Sequence, residues 1–222
     1  MNEVLATLTF HFENKRNEQN AEPMKKYMKN LFPFLGIKTP ERNKLTKLFY
    51  QQSGILKLDF QHDVVLELWQ QPEREYQYAA IDYIGRSLKK LVKEDLPFFE
   101  KLITTKSWWD TVDMLAQKPV GTIAEKYPEV ITESIDSWAI SENLWLRRTA
   151  LLFQLKYKGN TNEVLLYRYI ESNAESKEFF IQKAIGWALR EYSKTHPESV
   201  REFINSHSLA PLSIREGSKY LP

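Results

Sequence analysis

The block Asp110-Thr111-Val112-Asp113-Met114-Leu115 recurs along the chain at a fixed spacing, and this spacing decides the fold. Segments of similar helical pattern begin 35 residues apart at residues 75–80, 110–115, 145–150 and 180–185. Each block follows another predicted helix. A constant period between helix pairs is the signature of stacked helical repeats, in which neighbours bury apolar faces that one pair cannot bury alone. The sequence therefore predicts an all-α, HEAT-like (ARM-type) helical-repeat solenoid with a concave groove.

Turn-forming residues support an all-helical chain. Glycine is scarce, at 7 residues, and most of the 10 prolines fall between periodic segments. No stretch keeps the apolar/polar alternation of a strand. We predict a single domain over residues 1–222. The predicted helices cover residues 2–13, 22–34 with Pro23 at the start, a segment capped by Thr39 with Pro40 at its first position, 59–70, 72–92, 94–102, a helix capped by Ser107, 119–126, 128–139, 143–158, 162–171, 177–194, 197–205 and a short helix after Pro211.

Composition narrows the class of protein. Of 222 residues 42% are hydrophobic, which is enough for a substantial core. The absence of cysteine removes disulfides, thiolate zinc sites and a cysteine nucleophile, and it fits a reducing compartment. No signal peptide is evident, and no apolar run reaches the roughly 18 residues that span a membrane. We expect a cytoplasmic protein with no membrane association. With 31 basic and 29 acidic residues, a polyanion site must come from local placement of charge.

The repeat register places charged side chains at equivalent positions. The fourth residue of the successive blocks is Tyr78, Asp113, Arg148 and Lys183. Equivalent sites in a solenoid align along one surface, commonly the concave one, so these residues are predicted to share that surface. The alternative is a solvated outer face. Against it, Arg148 lies within about 40° of three leucines of its own predicted helix and emerges through an apolar sector, so its guanidinium needs a partner or a ligand.

A second pattern lies in the predicted helix over residues 177–194. Lys183, Trp187, Arg190 and Lys194 recur at helical spacing and share one side roughly 60° wide, away from the apolar face. An indole among three cations indicates contact with a flat or apolar group that carries negative charge. Nucleic acid fits this description, because phosphates bind Lys and Arg while sugars and bases pack on aromatic surfaces.

Two tryptophans and two carboxylates fall near residue 110. Ser107 is predicted to cap a helix, and Trp109 and Asp113, four residues apart, lie on one face of it. Trp108 points elsewhere and is predicted to pack in the core. Asp110 can cap the helix or serve as a second carboxylate. A carboxylate in a basic groove opposes phosphate binding, so we interpret Asp113 as a group that stabilises a cationic or oxocarbenium-like transition state or positions the attacking water.

Other chemistries lack sequence support. The four histidines form no i, i+4 pair and no HExxH pattern, so no metal site is predicted. There is no GxxxxGK[ST] or GxGxxG motif for a nucleotide cofactor and no nucleophile elbow. We therefore expect no cofactor.

Three motifs carry a resemblance to a known family: Lys106-Ser107-Trp108-Trp109-Asp110, the segment 143–158, and Phe179-Phe180-Ile181-Gln182-Lys183-Ala184-Ile185-Gly186-Trp187. The chain resembles, over nearly its whole length, the AlkD family of bacterial HEAT-like-repeat DNA glycosylases. The resemblance implies a concave DNA-binding groove and excision of N3- and N7-alkylated purines from duplex DNA. It also implies activity without metal or cofactor and without a base-flipping pocket.

By the same resemblance, Asp113 is the carboxylate that stabilises developing positive charge and assists water attack. Trp109 and Trp187 are the aromatic walls against the deoxyribose. Arg148 is a phosphate or groove contact, and the expected backbone contacts are Lys183, Arg190, Lys156 and Thr39. A monomer is compatible with a groove open to duplex DNA. The alternative is a non-catalytic HEAT-like scaffold that binds nucleic acid or a protein partner.

Overall fold

The computed structural model describes residues 3–221, with side chains from Val4 onward. Within these residues the chain forms helices, turns and irregular segments and no strand, so the prediction of an all-α fold is confirmed. The chain divides into two compact units, Met1–Lys90 and Leu91–Pro222. The single domain over residues 1–222 stays a prediction. Over the described range, no helix combines the length and apolar character needed to cross a membrane.

The N-terminal unit contains five α-helices among its described residues. They are α1 (Glu3–Glu13), α2 (Glu18–Tyr27), α3 (Thr39–Ser53), α4 (His62–Gln70) and α5 (Arg74–Arg86), with 3-10 turns at Ile55–Lys57 and Leu88–Lys90. Helix α3 packs against α1 and α5, and α4 packs against α5.

A buried carboxylate organises the loop that precedes α3. Glu75, fully buried on α5, accepts backbone N–H bonds from Leu35, Gly36 and Ile37 at 2.8 to 3.0 Å. Gly36 has φ +88, and a Cβ there would lie 2.0 Å from the carbonyl oxygen of Asn17, so only glycine permits this close approach. The loop fixes the start of α3, where Thr39 lies.

The C-terminal unit contains the remaining helices. They are α6 (Leu96–Thr104), α7 (Trp109–Leu115), α8 (Gly121–Lys126), α9 (Asp136–Ala139), α10 (Leu144–Leu152), α11 (Glu163–Glu171), α12 (Phe179–Tyr192), α13 (Pro197–Ser206) and α14 (Pro211–Gly217), with 3-10 turns at Lys93–Asp95, Lys158–Asn160 and Ser218–Tyr220. Two π-helical turns, Ala116–Val120 and Ile131–Ile135, lead directly into α8 and α9.

The repeat period is visible in the helix starts. Helices α5, α7, α10 and α12 begin at Arg74, Trp109, Leu144 and Phe179, each 35 residues after the last. Within the C-terminal unit, α10 packs against both α7 and α12, and α12 also packs closely against α14. Equivalent helices of successive repeats therefore lie side by side, as the predicted helical-repeat fold requires.

Side-chain caps explain why the predicted starts of two helices are correct. Asn143 caps α10 by accepting the N–H groups of Trp145 and Leu146, and Asn162 caps α11 by accepting that of Leu165. At α3 the cap is Lys38, so Thr39 is the first helical residue and not the predicted cap.

Other predicted boundaries were wrong. Helix α2 does not span residues 22–34: it begins at Glu18 after the cap Asn17 and contains Pro23 in its interior. It ends at Tyr27, because Lys29 and Asn30 adopt left-handed backbone angles. Helix α10 ends at Leu152, short of the predicted residue 158. The backbone there approaches Gly121 closely, since a Cβ on Gly121 would lie 2.5 Å from the carbonyl oxygen of Phe153.

Pro119 was predicted to begin a separate helix, and it lies instead inside the π-helical turn that joins α7 to α8. Proline has no N–H and its ring displaces the preceding turn, and a π turn accommodates both effects without breaking the helix. The predicted start of the first helix at residue 2 lies outside the described residues.

Candidate functional site

A groove of about 420 Å³ lies on the C-terminal unit. It brings together four residues predicted from the sequence, Trp109, Asp113, Trp187 and Lys156. The rest of its lining comes from Asp110, Met114, Gln117 and Lys118. The groove is thus walled by two indoles and flanked by ammonium groups, with Asp113 as a buried carboxylate in its wall.

Helix geometry explains how these side chains meet. Trp109 is the first residue of α7 and Asp113 lies one turn later, so both project from the same face. Trp187 projects from α12, two repeats further along the chain. Both tryptophans are half-buried and line the groove. Lys156 follows the end of α10 and is exposed.

Asp113 is held by a fork of hydrogen bonds from Arg148. Arg148 Nε donates to Asp113 Oδ1 at 2.7 Å and Arg148 NH2 donates to Oδ2 at 2.8 Å. Both residues are buried, with 5% of Asp113 and 4% of Arg148 exposed. Such bidentate pairs fix both the position and the plane of the carboxylate. The predicted need of Arg148 for a partner is met by Asp113, at the equivalent position one repeat earlier.

Burial and pairing act in opposite directions on Asp113. Removal from water raises the pKa of the Asp113 carboxyl above its usual value of 3.8, while the hydrogen bonds and charge of Arg148 oppose the rise. A guanidinium can only donate hydrogen bonds, so an ionised carboxylate that accepts at both oxygens is its natural partner. A carboxylate has about four acceptor sites, and Arg148 occupies one on each oxygen. Asp113 can therefore accept further hydrogen bonds on its groove side.

The third donor of Arg148 reaches the next repeat. Its NH1 group bonds the carbonyl oxygen of Phe180 at 2.5 Å, and its guanidinium carbon lies 5.8 Å from the centre of the Phe180 ring. Trp108 and Trp145 pack around the same ring with centroids 5.0 and 5.2 Å from it. An aromatic cluster of Trp108, Trp145 and Phe180 thus supports Arg148 from behind.

One expectation about the start of α7 was wrong. Ser107 does not cap this helix: its hydroxyl donates to the carbonyl oxygen of Ile103 at 2.6 Å, at the end of α6, and Trp108 takes the cap position. The packing role expected for Trp108 holds, but its described aromatic neighbours are Trp145 and Phe180 from later repeats.

Arg148 was predicted to contact a phosphate or the groove. The structure directs its Nε, NH1 and NH2 groups to Asp113 and Phe180 and leaves 5% of its side chain exposed. Arg148 is not part of the groove lining. A direct phosphate contact stays a prediction, and the geometry supports a role exercised through Asp113.

Lys183 and Arg190 converge on a residue that the sequence interpretation missed. Glu216 of α14 accepts hydrogen bonds from Lys183 Nζ at 3.1 Å, Arg190 NH1 at 3.2 Å and Lys219 Nζ at 2.7 Å. The hydrogen bonds of Lys219 and Lys183 hold the pKa of the Glu216 carboxyl at about 2. A signal was present, since Glu216 follows Lys183 by 33 residues, close to one repeat.

Two other predicted residues have partners different from Glu216. Lys194, predicted as the last cation of the helix over residues 177–194, lies just beyond the end of α12 and pairs with Glu191 at 2.6 Å. Thr39 belongs to the N-terminal unit, where it is exposed at the start of α3 and accepts a 3.4 Å hydrogen bond from Arg42 NH2.

The fold and the groove define a class, that of all-helical repeat proteins with an aromatic groove that contains a buried carboxylate and two lysines. A family model described as DNA alkylation repair enzyme matches residues 8–221, and the chain belongs to this family. Its role is DNA alkylation repair, and its partner is DNA.

Solved structures agree with this assignment. The chain is similar to a predicted DNA alkylation repair enzyme from Enterococcus faecalis, with 37% identity and a TM-score of 0.86 over 93% of this chain and 97% of the other. Two proteins from Streptococcus mutans share the fold at a TM-score of 0.59. AlkD2 is 23% identical over 89% of this chain and 99% of its own, and smu.31 is 19% identical over 92% and 98%. None of the curated proteins compared with the chain matches it.

Proposed function

We propose that the protein is an alkylpurine DNA glycosylase, which hydrolyses the N-glycosidic bond of cationic N3- and N7-alkylated purines in duplex DNA. The observation that carries the proposal is Asp113, a buried carboxylate in the wall of an aromatic groove, fixed from behind by Arg148. A carboxylate so placed is costly for binding phosphate, so it is better explained by chemistry than by affinity.

The reaction follows from the charge of the substrate. An alkylated purine already carries a positive charge, so when the bond from C1′ to the purine nitrogen breaks, the bonding electrons neutralise the leaving base. Positive charge develops on the deoxyribose, and the carboxylate of Asp113 stabilises it electrostatically. The oxygen of a water molecule then bonds to C1′, and its proton passes by way of the carboxylate to solvent.

The groove walls account for binding. Trp109 and Trp187 offer half-buried rings against which the deoxyribose packs, while Lys156, Lys183 and Arg190 bind backbone phosphates. Specificity then comes from the lability of the damaged bond, and no pocket for an extruded base is required. Thr39 is proposed as a further backbone contact. A monomeric state and a bacterial cytoplasmic location stay predictions.

The test is the release of free base from alkylated duplex DNA by the purified protein. We expect 7-methylguanine or 3-methyladenine to be released without added metal, and Asp113→Asn to lower the single-turnover rate by about 10² to 10³, the usual loss when one electrostatic stabiliser is removed. Asp136→Asn is a matched control, because Asp136 also pairs with an arginine of a later helix, Arg168, 32 residues further on, but lies outside the groove.

Asp136→Asn should keep the wild-type rate. If wild-type protein releases no base above background, the enzyme proposal fails and a non-catalytic DNA-binding scaffold takes its place. A wild-type rate in Asp113→Asn would refute the role given to the carboxylate.

A further inference from the structure

Glu216 gathers three cations next to the groove. Its side chain is 9% exposed, whereas those of Lys183, Arg190 and Lys219 are 38%, 25% and 47% exposed. The carboxylate thus lies beneath the three positive groups and pins them together from the protein side. Three positive charges face one negative charge, so the group as a whole is cationic.

The backbone is built to bring Glu216 to this position. A Cβ on Gly186 would lie 2.5 Å from Glu216 Cβ and 2.9 Å from the carbonyl oxygen of Ser213, so glycine lets α14 approach α12 closely. Ser213 Oγ also donates to the carbonyl oxygen of Gln182 at 2.9 Å. Gly186 directly precedes Trp187, so the close approach occurs beside the groove.

Lys183, Arg190 and Lys219 carry more N–H groups than their hydrogen bonds to Glu216 use. An ammonium carries three N–H groups and a guanidinium five, and each cation donates one hydrogen bond to Glu216. Lys183, Trp187 and Arg190 stand at i, i+4 and i+7 on α12, so the cations flank the indole that lines the groove. A phosphodiester bound by the three cations would belong to the nucleotide next to the one whose deoxyribose packs on Trp187.

We propose that Lys183, Arg190 and Lys219 form one binding site for a phosphate of the DNA backbone, and that Glu216 is the positioning residue that assembles it. The proposal deepens the proposed function and rests on it for the identity of the neighbouring nucleotide. It adds Lys219 as a phosphate contact and gives an acidic residue a supporting role in binding a polyanion. Glu216 stays ionised in neutral solution, so the site is assembled before DNA arrives.

The effect of Glu216→Gln on DNA affinity distinguishes a positioning role of Glu216 from a simple contribution of negative charge. If Glu216 only contributes negative charge, Glu216→Gln tightens binding to DNA. If it positions the three cations, Glu216→Gln weakens binding although the protein becomes more positive. Glu216→Asp keeps the charge but shortens the reach, so positioning predicts weaker binding there too, whereas simple charge predicts no change.

The experiment measures equilibrium binding of the full chain to an undamaged duplex oligonucleotide across a series of salt concentrations. Lys219→Ala is expected to lower the salt slope by about 1 and the affinity about eightfold at 0.1 M salt, as the loss of one phosphate contact with a slope near 0.9 requires. Both Glu216 variants should bind at least as weakly as Lys219→Ala. Glu191→Gln, which removes another ion-paired carboxylate from α12, should bind as wild type or slightly tighter.

Thermal melting of each variant shows whether it is folded, and Lys219→Ala, at an exposed position, keeps the test decisive if a Glu216 variant does not fold. Unchanged slope and affinity in Lys219→Ala, or tighter binding by Glu216→Gln, would overturn the proposal. Because the duplex is undamaged, this result is independent of base release. Failure of the glycosylase assay with normal binding effects refutes only the proposed reaction.

Discussion

Replacement of Arg148 by methionine tests the pairing at the centre of the site. Methionine has a similar length and no charge, so it fills the space behind Asp113 and removes all three hydrogen bonds that Arg148 makes to Asp113 and Phe180. Breaking a buried ion pair by deleting one partner leaves a buried, uncompensated charge. The expected loss in the free energy of unfolding is about 3 to 5 kcal/mol at neutral pH.

A second substitution, Asp113→Asn, should restore part of the stability lost in Arg148→Met. In Arg148→Met, Asp113 has lost the guanidinium that opposes the effect of burial on its pKa, so the pKa of its carboxyl rises further. Asp113→Asn removes the stranded charge, and the double variant should therefore be more stable than Arg148→Met by about 2 kcal/mol. This gain is present above the raised pKa of Asp113 and disappears as the pH falls towards about 4, because the folded state then binds the proton.

Urea denaturation followed by circular dichroism, at neutral and at acidic pH, measures the complete double-mutant cycle. A loss of less than about 1 kcal/mol in Arg148→Met would refute this prediction, and so would a double variant less stable than Arg148→Met at neutral pH. Either result would mean that the two buried groups are not energetically coupled.

Two further predictions concern packing and pH. Gly186→Ala should lower the free energy of unfolding by about 1 to 3 kcal/mol, because α14 must move away from α12. Gly159→Ala is the control: a Cβ there meets nothing within 4 Å, so the same urea denaturation should show a change of less than about 0.5 kcal/mol. The rate of base release should fall as the pH is lowered through the pKa of Asp113, with a midpoint above 3.8, because only the ionised carboxylate stabilises the sugar cation; a rate that stays constant to below pH 3.8 in single-turnover measurements would contradict it.

Much of the helical architecture could be predicted because its signals are local. Asn143 and Asn162 carry cap side chains, and the period of 35 residues predicts which helices are equivalent. The errors arose where tertiary contacts override local rules. Pro23 and Pro119 both lie inside helical segments, although proline favours the first turn of a helix, and at Pro119 the local structure is a π turn.

The site was less accessible to sequence reasoning. The register placed Asp113 and Arg148 at equivalent positions in neighbouring repeats, but it could not show that the two side chains meet and satisfy each other. Glu216 was missed because its only signal, a spacing of 33 residues from Lys183, departs from the 35-residue period, and a short helix with one acidic residue adds no further pattern. Its importance comes from the close packing of α12 against α14, which is a property of the folded chain.

Arg148 also limits how this chain can change in length. Its guanidinium bonds a carboxylate 35 residues earlier in the chain and a carbonyl group 32 residues later, so three consecutive repeats contribute to one arrangement. Repeat proteins commonly gain or lose whole units, because each unit contacts only its neighbours. Here the insertion or deletion of one unit between residues 113 and 180 would separate groups that must touch. Duplication of repeats is therefore open to this chain only outside that interval.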